Sequence, residues 1–132
     1  MNLVNIHKEL LNRIKGYGFL YLSPEKWINY ETGEFPVSNI NRAFTIKVEI
    51  DENMAVAVSG VVHLNVQIEF VLSAIKDEYL SYLPEILKAL GSVQGITDSG
   101  IVSDITPRNL TPRWIGDWVI YETRLNLVAV ET

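Results

Sequence analysis

Val62-His63-Leu64-Asn65-Val66-Gln67-Ile68-Glu69-Phe70-Val71-Leu72 is the stretch on which the fold turns. Its even positions are all apolar, and positions 63, 65, 67 and 69 are polar. A period of two requires an extended strand with one dry face and one wet face. Upstream, Phe44, Ile46, Val48 and Ile50 alternate with Thr45, Lys47 and Glu49, which predicts a second strand of the same kind. Between the two, Asp51-Glu52-Asn53 reads as a turn, and Met54 to Val58 as a brief apolar run that pairs as a hairpin arm. Downstream the period becomes helical. From Ser73 to Leu90 the residues Ile75, Tyr79, Leu83, Ile86, Leu87 and Leu90 are expected to point inward, with Asp77 and Glu78 at the positive end of the helix dipole. Pro84 must kink this helix or open its second half, and Gly91 closes it.

The two ends of the chain complete the pattern. Leu3, Val4, Leu10, Leu11 and Ile14 share one face opposite Asn5, Lys8, Glu9 and Asn12. This spacing predicts an amphipathic helix over about 2–15, stopped by Gly16 and Gly18. Residues 19–22 read as a short strand ended by Pro24. Residues 92–100 are turn-rich, and 101–105 read as a short strand before Pro107. The last segment, 114–130, reads as one long strand: Val119, Tyr121, Leu125 and Leu127 on one face, Trp118, Ile120, Val128 and Val130 on the other. Such a strand is bent, bulged or buried on both sides. The order helix, strands, helix, strands predicts an α+β fold. The expected architecture is a mainly antiparallel sheet of four to five strands with two helices packed on one face, in a single domain over 1–132.

Residues 23–41 do not fit that scheme. Pro24, Gly33 and Pro36 forbid a long regular element, yet the stretch carries Trp27, Ile28, Tyr30, Phe35, Val37 and Ile40. It is read as an irregular arm or loop. Its apolar side chains either fold back over their own core or pack on a neighbouring subunit.

Composition removes several classes of function. The 132 residues carry 11 Lys+Arg against 16 Asp+Glu, a formal charge of −5. A pI near 5.0 disfavours general nucleic-acid binding. Hydrophobic residues at 48% and charged residues at 20%, with a mean hydropathy of +0.13, do not describe a disordered chain. There is no cysteine, hence no disulfide, thiolate zinc site or cysteine nucleophile. No apolar run is long enough to cross a membrane as a helix. The first residues lack a basic segment followed by an apolar core, which predicts synthesis and use in a cytoplasm.

Motifs for chemistry are missing. His7 falls at the border of the first helix, and His63 on the wet face of the central strand, without the spacing of a metal-binding pair. The carboxylates Asp51/Glu52, Asp77/Glu78, Asp98, Asp104 and Asp117 are scattered and read as caps and solvation. Gly16-Tyr17-Gly18 follows a helix and lacks a third glycine, so it is no dinucleotide fingerprint. The expectation is a non-enzyme without catalytic, cofactor-binding or metal-ligating residues. Arg108, Arg113 and Arg124 beside Trp114 and Trp118 suggest stacking on nucleic acid, but Asp104, Asp117 and Glu122 lie among them. Arg and Trp also anchor protein interfaces. The expected interface residues are Trp27, Tyr30 and Phe35 in the arm, and Arg113 and Trp114 next to the irregular loop at 106–113.

A resemblance runs through Gly60-Val61-Val62-His63-Leu64-Asn65-Val66-Gln67-Ile68-Glu69-Phe70 into Asp77-Glu78-Tyr79-Leu80 and Leu83-Pro84-Glu85-Ile86. It resumes at Trp114-Ile115-Gly116-Asp117-Trp118-Val119-Ile120-Tyr121-Glu122-Thr123 and Leu125-Asn126-Leu127-Val128-Ala129-Val130. This order resembles the tail terminator, or tail completion, proteins of long-tailed bacteriophages, of the lambda minor tail protein U type. The resemblance implies a virion tail protein made in the host cytoplasm. It would form a ring, usually of six copies, seated on the last ring of tail-tube protein, ending tube growth and offering a surface to the head connector or neck protein. It implies no cofactor, no specific nucleic-acid binding and no membrane. Two alternatives stay open: a head-completion or neck protein, and a small-ligand-binding domain.

Overall fold

The computed structural model describes residues 3–31, 42–50, 61–93, 106–107 and 109–130; at 28–31, 61–62, 106–107 and 128–130 only the backbone is described. The chain runs through helix α1 (Leu3–Lys15), strand β1 (Leu20–Tyr21), helix α2 (Pro24–Glu31), strands β2 (Ala43–Ile50) and β3 (Val61–Ser73), and helix α3 (Tyr79–Val93). Strands β4 (Thr106–Pro107), β5 (Thr111–Ile115) and β6 (Trp118–Val130) follow. The fold class is α+β, and the sheet is mainly antiparallel. Its order is β1-β2-β3-β6, with β4 and β5 both paired to the free side of β6. Only β1–β2 is parallel.

The centre of the sheet is the pairing of β3 with β6, from Val61↔Val130 to Ser73↔Trp118. Cross-strand partners share a face, so alternation in one strand fixes the next. On one face Phe44, Ile46, Leu64, Val66, Ile68, Phe70, Leu72, Val119, Tyr121, Leu125 and Leu127 are buried. Both long helices cover this face, α1 through Ile6, Leu10 and Ile14, and α3 through Ile86, Ala89, Leu90 and Val93. Each fully buried side chain of this size contributes roughly 1.5–3 kcal/mol. Arg13 ties the helices together, donating from Nη1 to the Ser92 carbonyl at 2.8 Å and from Nε to Glu9 Oε1 at 2.9 Å.

Gly18 ends the turn after α1 with φ +90°, and a Cβ there would lie 2.8 Å from Arg42 Nη2. The Arg42 guanidinium fills this space, donating to the Tyr17 carbonyl at 3.1 Å and lying over the rings of Phe19 and Tyr82.

Several expectations need correction. The region 23–41 is not irregular throughout, because Pro24–Glu31 is helical. Proline at the first helical position loses no hydrogen bond, so Pro24 starts an element where it was read as ending one. Ser23 accepts through its carbonyl from the Lys26 and Trp27 amides, both at 3.0 Å. The α3 helix passes through Gly91 to Val93 with Pro84 inside it. Ile75 and Leu87, read as inward, are 52% and 61% exposed, and Val4 is 74% exposed while Ile6 takes its place in the core. The long strand 114–130 is instead a hairpin: Ile115 pairs with Trp118 across Gly116-Asp117. Gly116 carries φ +55°, as two-residue hairpin loops require at their first position. The sheet therefore has six strands, and 106–113 is in part regular, through β4 and β5. The readings at 51–53, 54–58 and 101–105 lie outside the described residues.

Candidate interaction faces

The far face of the sheet is divided in two. At one end Ala43, Val71 and Ile120 form an apolar row on β2, β3 and β6. Trp27 of α2 and Leu22 pack on that row, with Ile115 and Trp118 at its border. Trp27 is wholly buried within its own chain. This overturns its place among the interface residues: a side chain enclosed by Leu22, Ala43, Val71 and Ile120 has no surface to offer a neighbour.

Beyond that row the face turns polar. The next row is Thr45, Glu69, Glu122 and Thr111; the one after contains Lys47, Gln67 and Arg124; then come Glu49, Asn65 and Asn126. Glu69 stands out as the charged residue that is buried on this face, 1% exposed beside the equally buried Thr45. Two cations approach its carboxylate, Lys47 Nζ and Arg113 Nη2, each at 3.9 Å. Gln67 Nε2 donates to Glu69 Oε1 at 3.3 Å. A carboxylate so deeply placed survives only with opposite charge nearby, so removing either cation should cost more than an exposed ion pair would. Arg124 Nε donates to Glu122 Oε1 at 3.2 Å. These two side chains, with Asn109 and Thr111, line a shallow depression of about 330 Å³.

Arg113 and Trp114 are neighbours on β5 and so point to opposite faces. Arg113 reaches over the polar face towards Glu69. Trp114, 54% exposed, lies on the helical side with its ring edge-to-face on Tyr79 at 5.2 Å. Tyr30 is described by its backbone only, and Phe35 lies outside the described residues. Of the three expected interface side chains that are described, the structure leaves Arg113 and Trp114 at the surface.

Among the described residues, burial shifts the titration of His7, Tyr21 and Tyr121. His7 Nε2 lies 3.2 Å from the Tyr21 hydroxyl, with the rings edge-to-face. Burial lowers the His7 pKa from 6.5 and raises that of Tyr21, the latter opposed by a hydrogen bond with Thr45. Burial, and then the charge of Tyr79, raise the pKa of Tyr121. No group of three His, Asp or Glu that could hold a metal ion occurs among the described residues, and none of their helices is long and apolar enough to cross a membrane.

Glu69, Lys47 and Gln67 entered the sequence reading only as wet-face positions of their strands, and Arg124 and Glu122 only as a nucleic-acid candidate and the charge opposing it. Their alternation was visible there, but burial of Glu69 depends on Arg113, forty-four positions away, and on hairpin pairing.

No protein-family model and no curated protein matches the chain. Solved structures from Akkermansia muciniphila are similar to it at low identity. One is 14% identical over 98% of this chain and 76% of its own, with a TM-score of 0.44. A second, without its transmembrane region, is 13% identical over 98% and 82%, with a TM-score of 0.45. A third, a core domain, is 15% identical over 98% and 85%, with a TM-score of 0.40. Identity at this level transfers no residue's role, so function is argued from the side chains themselves.

Proposed function

We propose that this chain is a phage or prophage tail terminator, a subunit of a ring that caps the tail tube and forms the surface for head attachment. The observation that carries the reading is the polar sheet face. Its described side chains balance Lys47, Arg113 and Arg124 against Glu49, Glu69 and Glu122, with Asn65, Gln67 and Asn126 between them. A passage for DNA needs a wet lining that is not electropositive, because a row of unpaired cations would hold the phosphates. This face meets that requirement if it turns towards the lumen. The order of elements, with an amphipathic helix first and a polar-alternating strand feeding a helix and then a long last strand, supports the same reading. Capping itself requires no chemistry: one side of the ring repeats the contacts of the tube, and the other lacks the surface that a further tube ring needs.

The test is to add the purified chain to growing tail-tube protein. Rings at tube ends in electron micrographs, with tube length falling as the chain is added, are expected. Rings that bind the head connector but ignore the tube would favour the neck-protein alternative. Absence of any ring, with or without tube protein, would refute both.

A further inference from the structure

Strand β1 covers only the beginning of β2. It pairs through Leu20↔Ala43 and Tyr21↔Phe44, and the last bond runs from the Leu22 amide to the Phe44 carbonyl at 2.8 Å. Backbone groups alternate sides along a strand, so Ile46, Val48 and Ile50 turn their N–H and C=O outward as Phe44 does. Among the described residues no strand meets them there. Val48 is half-buried, Glu49 is exposed, and Ile50 is 47% exposed. A row of outward backbone donors and acceptors is a template for one kind of partner, another extended segment.

The side chains of this edge select the segment. Ile46-Lys47-Val48-Glu49-Ile50 reads the same in both directions, except that Lys and Glu change places. We infer that β2 pairs antiparallel with the β2 of a second copy of this chain, about a two-fold axis at Val48. In that register Val48 meets Val48, Ile46 meets Ile50, and Lys47 meets Glu49, the last two contacts occurring twice. The outward residues of both strands then lie opposite one another, and each such pair exchanges two backbone hydrogen bonds. Apolar face continues into apolar face, so the open Ile50 gains the Ile46 of the other copy as a neighbour. Lys47 lies 3.9 Å from Glu69 in its own chain, on the same side of the sheet. Pairing keeps that contact and sets the ammonium between two carboxylates. A slip of two residues would bring Lys47 against Lys47 or Glu49 against Glu49, and a slip of one would set apolar against polar side chains. Such an isologous contact closes at two copies. It concerns the chain alone and does not depend on the capping reading.

In sedimentation the whole chain should show a concentration-dependent dimer, and a monomer at every concentration would overturn the inference. Val48→Pro removes an N–H that points away from β3, so the bonds within the sheet remain. It should weaken dimerisation roughly a hundredfold with unchanged circular dichroism. Glu49→Lys, at an exposed position that the fold tolerates, sets lysine against lysine twice. It should weaken dimerisation about tenfold, and high salt should restore part of the loss. An undiminished dimer in either folded variant would overturn the pairing. The absence of cysteine makes the register directly readable. Val48→Cys should link to a second copy under mild oxidation, because a hydrogen-bonded pair places its Cα atoms about 5.5 Å apart, within disulfide reach. Glu49→Cys, whose counterpart lies two residues further along the other strand, should not. Linkage of Glu49→Cys in place of Val48→Cys would overturn the register.

Discussion

Helices α1 and α3 lie side by side on the same face of one sheet, bury comparable apolar stripes, and show opposite outer surfaces. Outside, α1 exposes Asn5, Lys8, Asn12 and Lys15 after a single apolar residue, Val4. In α3 the corresponding surface is Leu80, Pro84, Leu87 and Gly91, flanked by Ser81 and Lys88. The inner faces need no difference to explain them, because any helix on a sheet must bury one stripe. The outer faces do. Water is a sufficient partner for the outer face of α1, whereas α3 leaves Leu80 and Leu87 open to it at 54% and 61%.

The largest effect should separate the two sides of α3 at adjacent positions. Ile86→Ala should cost about 2–5 kcal/mol of stability in denaturant unfolding, whereas Leu87→Ala should stay within about 0.5 kcal/mol. Equal costs would mean that Leu87 is core and that the contrast is false. Next, Arg13→Ala removes the hydrogen bond to the Ser92 carbonyl that holds the helices in register. A charge-assisted bond of this kind, partly exposed, should be worth about 1–2 kcal/mol in the same unfolding measurement.

The smallest effect is a pH dependence at the inner edge of α1. Burial depresses the His7 pKa below its unfolded value of 6.5. The unfolded chain therefore binds the proton more readily, and the stability contributed by neutral His7 is fully present above pH 6.5 and lost as pH falls through the folded pKa. His7→Gln should flatten this slope in thermal unfolding between neutral and mildly acidic pH. An unaltered slope would place its origin in other groups.

Where a side chain's partners are local, sequence periodicity was a reliable guide. The strands around 43–50 and 61–73, the first helix and the helix at 79–93 all follow from spacing, as does the α+β class. Misreadings occurred where one residue type serves two structures. Pro24 ends a strand and also begins a helix; Gly116-Asp117 can interrupt a strand as a bulge or fold it as a hairpin. Gly-Asp between Trp114-Ile115 and Trp118-Val119 is a hairpin-turn signal, and the reading of 114–130 as one long strand passed over it. The candidate interface was less legible. Trp27 on a stretch rich in Pro and Gly looked like an anchor for a neighbour, and burial on α2 made it core. Leu87 looked like core from its neighbours in the stripe, but the buried face of α3 runs through Ile86, Ala89, Leu90 and Val93 and leaves it outside.

What the sequence by itself determined is which residues are extended, which are helical, and that the sheet has one face apolar along its length. Those properties depend on neighbours two to four positions apart. Only the tertiary structure decided that the second face is closed by Trp27 at one end and polar at the other, that Glu69 is buried beside Lys47 and Arg113, and that α3 presents leucines to the outside. Each of these depends on contacts between residues far apart in the chain, and periodicity carries no information about which distant element will cover a given face.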